Sequence, residues 1–213
     1  MRKKIFLFTI ILLQGVSPVL ADASDGMHAD NIHVKSWNHF ADLVYQLHKK
    51  QVAGKQITKT EKMGGYAHSP DYYREVTYVD KKNGRLLSRI QWENSNPDTI
   101  HSIEVFVYDK KGRMARDYSA SYLPGYHNAP VQTLINIHNY YGGLHAYRQY
   151  DVSKDIIYEY CEGDFNGKRH QIRLFEDDLH ATDPESRQLF SSAVYKACFG
   201  EIQSSIGKYI RPQ

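Results

Sequence analysis

The side chains best placed to do chemistry in this 213-residue chain sit in one loop and one residue class. The loop runs Tyr122-Leu123-Pro124-Gly125-Tyr126-His127-Asn128-Ala129-Pro130-Val131-Gln132. It joins a strand to what reads as a helix start, where backbone N–H groups and the helix dipole favour an anion. Tyr122, Tyr126, His127, Asn128 and Gln132 could supply hydrogen bonds there, and Arg116 on the preceding strand could add charge. The competing reading is an ordered connector whose prolines fix its path and whose Asn128 caps the helix. The residue class is tyrosine, with 17 copies, many on extended segments. A tyrosine has a large apolar body and a polar tip, so it suits either cross-strand packing or a contact surface.

Other constellations offer less. Eleven histidines invite a metal reading, and Asp25, His28, Asp30 and His33 form a loose group, but none has a tight ligand spacing such as His-x-x-x-His. The Glu176-Asp177-Asp178 run, with Asp183 and Glu185, lacks the spacing of a calcium loop. No metal and no other cofactor is expected. Motifs for a nucleophile elbow, a zinc protease or a phosphate-cradling loop are absent from the sequence. Glu75, Glu104 or Glu159 could pair as carboxylates across strands, so a hydrolase with dispersed residues stays as an alternative.

The amino terminus carries a secretory signal. Arg2, Lys3 and Lys4 precede an apolar run from Ile5 to Leu13, too short to span a bilayer, with small residues at Ala21 and Ala23 for cleavage. Residues 1–23 are read as this signal, 24–35 as a mobile start and 36–213 as one domain. The formal charge of +3 is then misleading, since removing the three basic residues leaves 24 Lys+Arg against 24 Asp+Glu. A near-neutral chain has no global pull toward nucleic acid. No transmembrane segment is expected after cleavage, and the address is periplasmic or secreted. Two cysteines in an exported chain invite one disulfide, Cys161–Cys198; two buried thiols or a reactive pair are the alternatives.

The elements that must position these groups follow from periodicity. Ser36 can cap a helix whose stripe is Trp37, Phe40, Ala41, Val44 and Leu47. From Gln56 the period becomes two. Asp80-Lys81-Lys82-Asn83-Gly84, Asp109-Lys110-Lys111-Gly112 and Asp151 to Asp155 mark three hairpin turns. Pro130, with Leu134, Ile135 and His138, suggests a short mid-chain helix stopped at Gly142-Gly143, and residues 184–198 suggest a C-terminal helix. The fold class is α+β, with an antiparallel sheet of about seven strands in hairpins and three helices.

Tyr108-Asp109-Lys110-Lys111-Gly112-Arg113 resembles the YD-repeat hairpin of secreted shell-forming and surface proteins, and Tyr78 to Arg85 and Tyr150-Asp151 echo it. The resemblance implies a shared hairpin design, not a function. The order of a helix followed by extended hairpins is also similar to the half-barrel of LolA-type lipoprotein carriers. The leading expectation is a non-enzymatic binding or assembly module that presents a Tyr-rich sheet surface to an envelope protein or an amphipathic small molecule. A LolA-like acyl carrier, holding its chain between sheet and helix, is the alternative beside the hydrolase. The sequence leaves the oligomeric state open.

Overall fold

The computed structural model describes residues 31–210. The signal segment and most of the 24–35 stretch lie outside them. The first helix, α1 (Ile32–Val52), starts earlier than Ser36: the Asn31 carboxamide accepts from the His33 N–H at 2.8 Å and caps it. Val34, Phe40, Ala41, Val44 and Leu47 form its buried stripe, and Lys49 and Lys50 complement the dipole in its last turn.

Nine strands follow: β1 (Ile57–Tyr66), β2 (Ser69–Asp80), β3 (Leu86–Glu93), β4 (Ile100–Tyr108), β5 (Met114–Ser121), β6 (Gln132–Tyr141), β7 (Gly143–Asp151), β8 (Ile156–Phe165) and β9 (Lys168–Phe175). They form one antiparallel sheet in chain order, each strand pairing with its sequence neighbours. The α+β class and the antiparallel sheet are therefore present, with nine strands where about seven were expected.

The two extra strands have different causes. β1 is almost entirely exposed and carries Thr58, Lys59, Thr60, Glu61 and Lys62, a polar edge with little apolar alternation to read. The mid-chain helix does not form; its residues are β6. Thr133, Ile135 and Ile137 turn to the core while Leu134, Asn136 and His138 turn away, and the segment pairs in register with β5 and β7. Three β-branched residues at alternate positions favour the pleat over the helix. Gly142-Gly143 is a hairpin turn rather than a helix stop, with Gly142 at φ 57°.

The expected C-terminal helix is broken in two, α3 (Pro184–Ser191) and α4 (Ala193–Phe199), preceded by a single turn, α2 (Glu176–Leu179). Asp183 caps α3, with Pro184 in its first turn, and Ser192 ends α3 and caps α4.

The three Asp-led turns share one design. Asp80 accepts from the Lys82 N–H at 2.9 Å, Asp109 from the Arg113 N–H at 2.9 Å and Asp151 from the Ser153 N–H at 2.8 Å. Gly84 and Gly112 supply the positive φ of the first two; Lys154 takes φ 85° in the third. The basic residue after each of the first two turns lies over a tyrosine of a following hairpin: Arg85 over Tyr108 at 5.4 Å and Arg113 over Tyr140 at 4.5 Å.

One face of the sheet is covered. Helix α1 crosses β3 to β6, burying Phe40, Val44 and Leu47 in a core with Ile90, Ile103, Val105, Tyr118 and Ile135, while α4 packs on β6 and β7. The Cys161–Cys198 disulfide joins β8 to α4 with Cα atoms 6.0 Å apart, and Asn139 of β6 donates to the Cys198 carbonyl at 2.9 Å. Beside it, buried Arg148 donates to Glu159 at 2.6 Å and to the carbonyls of Ile202 and Gln203. The other Glu159 oxygen accepts from Tyr195 at 2.8 Å.

Candidate functional site

Three connections meet at one end of the sheet: the β1–β2 tip, the β3–β4 loop and the Tyr122–Val131 loop between β5 and β6. Because β6 is a strand, this last loop leads into no helix, and the anion site built on a helix N-terminus has no basis. The Tyr122–Val131 loop is instead tied down at four points. The Tyr122 N–H donates to the His101 carbonyl at 2.8 Å, and the Val131 N–H donates to the Ser121 carbonyl at 2.8 Å. Asn38 of α1 donates to the Asn128 carbonyl at 2.6 Å. The Gly125 N–H donates to the Tyr72 hydroxyl at 3.0 Å, at a turn where Gly125 has φ 75°.

Under the loop lies an aromatic and acidic cluster. Tyr72 donates its hydroxyl proton to Glu93, a buried carboxylate that also lies 3.2 Å from His127 Nε2. Tyr66 Oη lies 2.5 Å from His101 Nε2, and the Tyr66, Tyr72 and Tyr73 rings surround the His101 imidazole. Burial pushes the His101 pKa down, against the raising effect of Glu93. Burial pushes the Tyr66 hydroxyl up, helped by Tyr73 and Glu93. The direction of the Tyr66–His101 hydrogen bond follows the imidazole tautomer, and the other ring nitrogen, Nδ1, is buried with no partner among the described residues.

A groove of about 470 Å³ opens beside this cluster. Its floor is the uncovered face of β3, β4 and β5, with Gln91, Ser102, Glu104 and Ser119 along it; Tyr66, Tyr122, Leu123, Val131 and Gln132 form its rim. The floor is cross-linked by polar contacts. Arg89 contacts Glu104 at 2.9 Å and Glu75 at 3.5 Å, Gln91 donates to Glu75 at 2.9 Å, and Ser102 donates to Gln91 at 2.8 Å. Burial raises the Glu104 carboxyl against the pull of Arg89. At Glu75 burial also acts upward, but Gln91, Lys62 and Arg89 outweigh it and the net shift is downward.

The sequence-derived residues divide. Tyr122 and Gln132 line the groove, Tyr126 stands exposed at the loop tip, His127 faces Glu93, and Asn128 contributes a carbonyl rather than a cap. Arg116 is elsewhere: six residues back along β5, about 20 Å at strand rise, it lies over the Tyr209 ring at 4.7 Å. Tyr66, Glu93 and His101 were not visible as site residues, because they come from two separate hairpins, β1–β2 and β3–β4, with no shared local motif. The turn glycines and aspartates that bring those hairpins together were the indirect signal.

Two further groupings bear on chemistry. Ser88 Oγ lies 2.7 Å from His48 Nδ1, a hydroxyl–imidazole pair, but both are sealed between α1 and the sheet where no substrate reaches. On the uncovered face Asp117, His138 and His145 run in series, with contacts of 2.8 and 3.0 Å. Among the described residues no group of three or more acidic, histidine or cysteine side chains is placed to hold a metal ion. Of the three carboxylates read from the sequence, two come together. Glu75 and Glu104 share Arg89 on one face, while Glu159 is buried against Arg148. No helix among the described residues is long and apolar enough to cross a membrane. Compared with known proteins, the chain matches no family model, no curated protein and no solved structure.

Proposed function

We propose that this chain is an exported, non-enzymatic binding module of the periplasm or the extracellular space, and that the groove at the loop end takes an amphipathic ligand or a segment of an envelope protein. One observation carries this reading. Tyr66, Leu123 and Val131 are each 45% or more exposed and line one groove with a polar floor, and the exposed Tyr126 stands at the tip of the same loop. Large apolar side chains exposed together on a surface mark an interaction site. The anchored loop supports the same reading, since a site that is already ordered loses little freedom on binding.

The test is capture from envelope extracts by the purified chain, followed by identification of what is retained. A variant carrying Leu123→Ser, Tyr126→Ser and Val131→Ser should retain at least tenfold less of a specific species while melting like the parent. Equal retention by both would remove the groove from the function.

The acyl carrier keeps one supporting observation, a cleft of about 430 Å³ beside Trp37 at the start of α1, lined by Pro130, Val131, Leu134 and Ile157. Against it, Phe40, Val44 and Leu47 fill the space under the helix. Native mass spectrometry of gently extracted protein separates the two, because a carrier retains lipid.

A further inference from the structure

We infer that the groove binds a neutral, hydroxyl-rich linear saccharide, lying across the strands of the uncovered face; this rests on the binding-module reading above and names its ligand class.

Charge excludes the first competitor. Among the described residues lining the groove, Arg89 is the one full cation, and it is held between Glu104 and Glu75. Lys62 approaches the same Glu75 carboxylate at 3.1 Å. Two cations and two carboxylates cancel, so neither an anionic nor a cationic ligand finds an unmatched opposite charge.

Register supplies the positive reason. Gln91 pairs with Ser102, Ser102 with Ser121, and Ser121 with Gln132, so four amide and hydroxyl side chains stand in one row across β3, β4, β5 and β6. Neighbouring strands lie about 4.8 Å apart, and the row therefore spans about 14 Å. That step is comparable to the length of one sugar ring, and hydroxyls recurring along a saccharide meet a polar side chain at each strand. The Gln91–Ser102 half of the row is internally bonded. The Ser121 and Gln132 side chains, with Ser119 beside them, have no protein hydrogen bond among the described residues and are available to a ligand. The half-exposed Tyr66 ring at the edge of the groove offers a face for the C–H side of a sugar, whereas the Tyr122 side chain, one residue past Ser121, packs on the covered side of the sheet.

Other occupants fit less well. An extended peptide pairs with a sheet edge, not across the middle of a face. An acyl chain requires an apolar enclosure, and this groove is lined by Arg89, Glu104, two serines of the row and two glutamines.

The experiment is a titration of the ¹⁵N-labelled chain with three neutral probes, cellotetraose, maltotetraose and chitotetraose, and in parallel with lysophosphatidylcholine and an apolar peptide. At least one saccharide should shift the amides of Ser102, Ser121, Tyr122 and Gln132, with an affinity unchanged between low and high salt because no charge is matched. Gln132→Ala and Ser121→Ala should each weaken that affinity about fivefold, the worth of one hydrogen bond, and leave the melting curve in place. If no saccharide shifts these amides while the lipid or the peptide does, the saccharide inference fails and the binding module stands. If none of the probes acts on the groove, the saccharide inference fails as well, and the envelope-extract capture decides the module separately.

Discussion

His48 shows how far burial can move a single side chain. It is packed under α1 against the Tyr78 ring, and burial, with Lys59 and Lys49 nearby, lowers its pKa from 6.5 to about 4. Between those values the unfolded chain binds a proton that the folded chain does not. Stability is therefore complete above pH 6.5 and falls as pH drops toward 4, by about 1.4 kcal/mol per pH unit from this one group. Denaturant midpoints at pH 7, 5.5 and 4.5 should show the decline, and a His48→Gln variant, weaker at pH 7, should show a shallower one. Glu159 makes the second case. It is 1% exposed and answers both Arg148 and Tyr195. Glu159→Gln leaves the Arg148 guanidinium buried without its counter-charge and should cost about 3–5 kcal/mol in urea unfolding. A loss below 1 kcal/mol would mean that water reaches the site.

At the scale of elements, the hairpins were legible because their turns carry their own instructions. An aspartate accepting from the backbone two to four residues on, followed by a residue at positive φ, closes the chain whatever the flanking sequence. The third turn meets the same need with a residue other than glycine, Lys154, in the left-handed region. Lys154→Gly should hold or raise stability, by up to about 1 kcal/mol, in a thermal melt, whereas the same change at exposed Lys110 should lower it slightly or leave it. The strand β6 was misread because Pro130 and a run of Leu134-Ile135 also satisfy a helix start over a short window. Only the partners on either side, β5 and β7, decide the period. The polar edge β1 was missed for the opposite reason: a strand without a buried face writes no alternation. Half of the loop site was legible in Tyr122, Tyr126, His127 and Gln132, which are local in sequence. Tyr66, Glu93 and His101 join them from two other hairpins, and no window of sequence contains that juxtaposition.

At the scale of the whole molecule, the attachments that secure the C-terminal segment include the Cys161–Cys198 bond and the Arg148–Glu159–Tyr195 network. The disulfide closes a loop with a separation of 37 residues, for which chain entropy gives about 4 kcal/mol. Cys161→Ala with Cys198→Ala should lower stability by about that amount, and hydrogen exchange should rise first in α4. Uniform exchange across the sheet would place the loss elsewhere. The ordering of the strands has a separate consequence. Each strand finds its partner next to it in the chain, so a nascent polypeptide emerging amino end first can lay down the ribbon one rung at a time without waiting for distant sequence. Cys198 follows β9, the last strand of the sheet, and comes thirty-seven positions after its mate. The oxidative step can therefore act as a final latch on a sheet already assembled, and an error in pairing before it is still free to unzip.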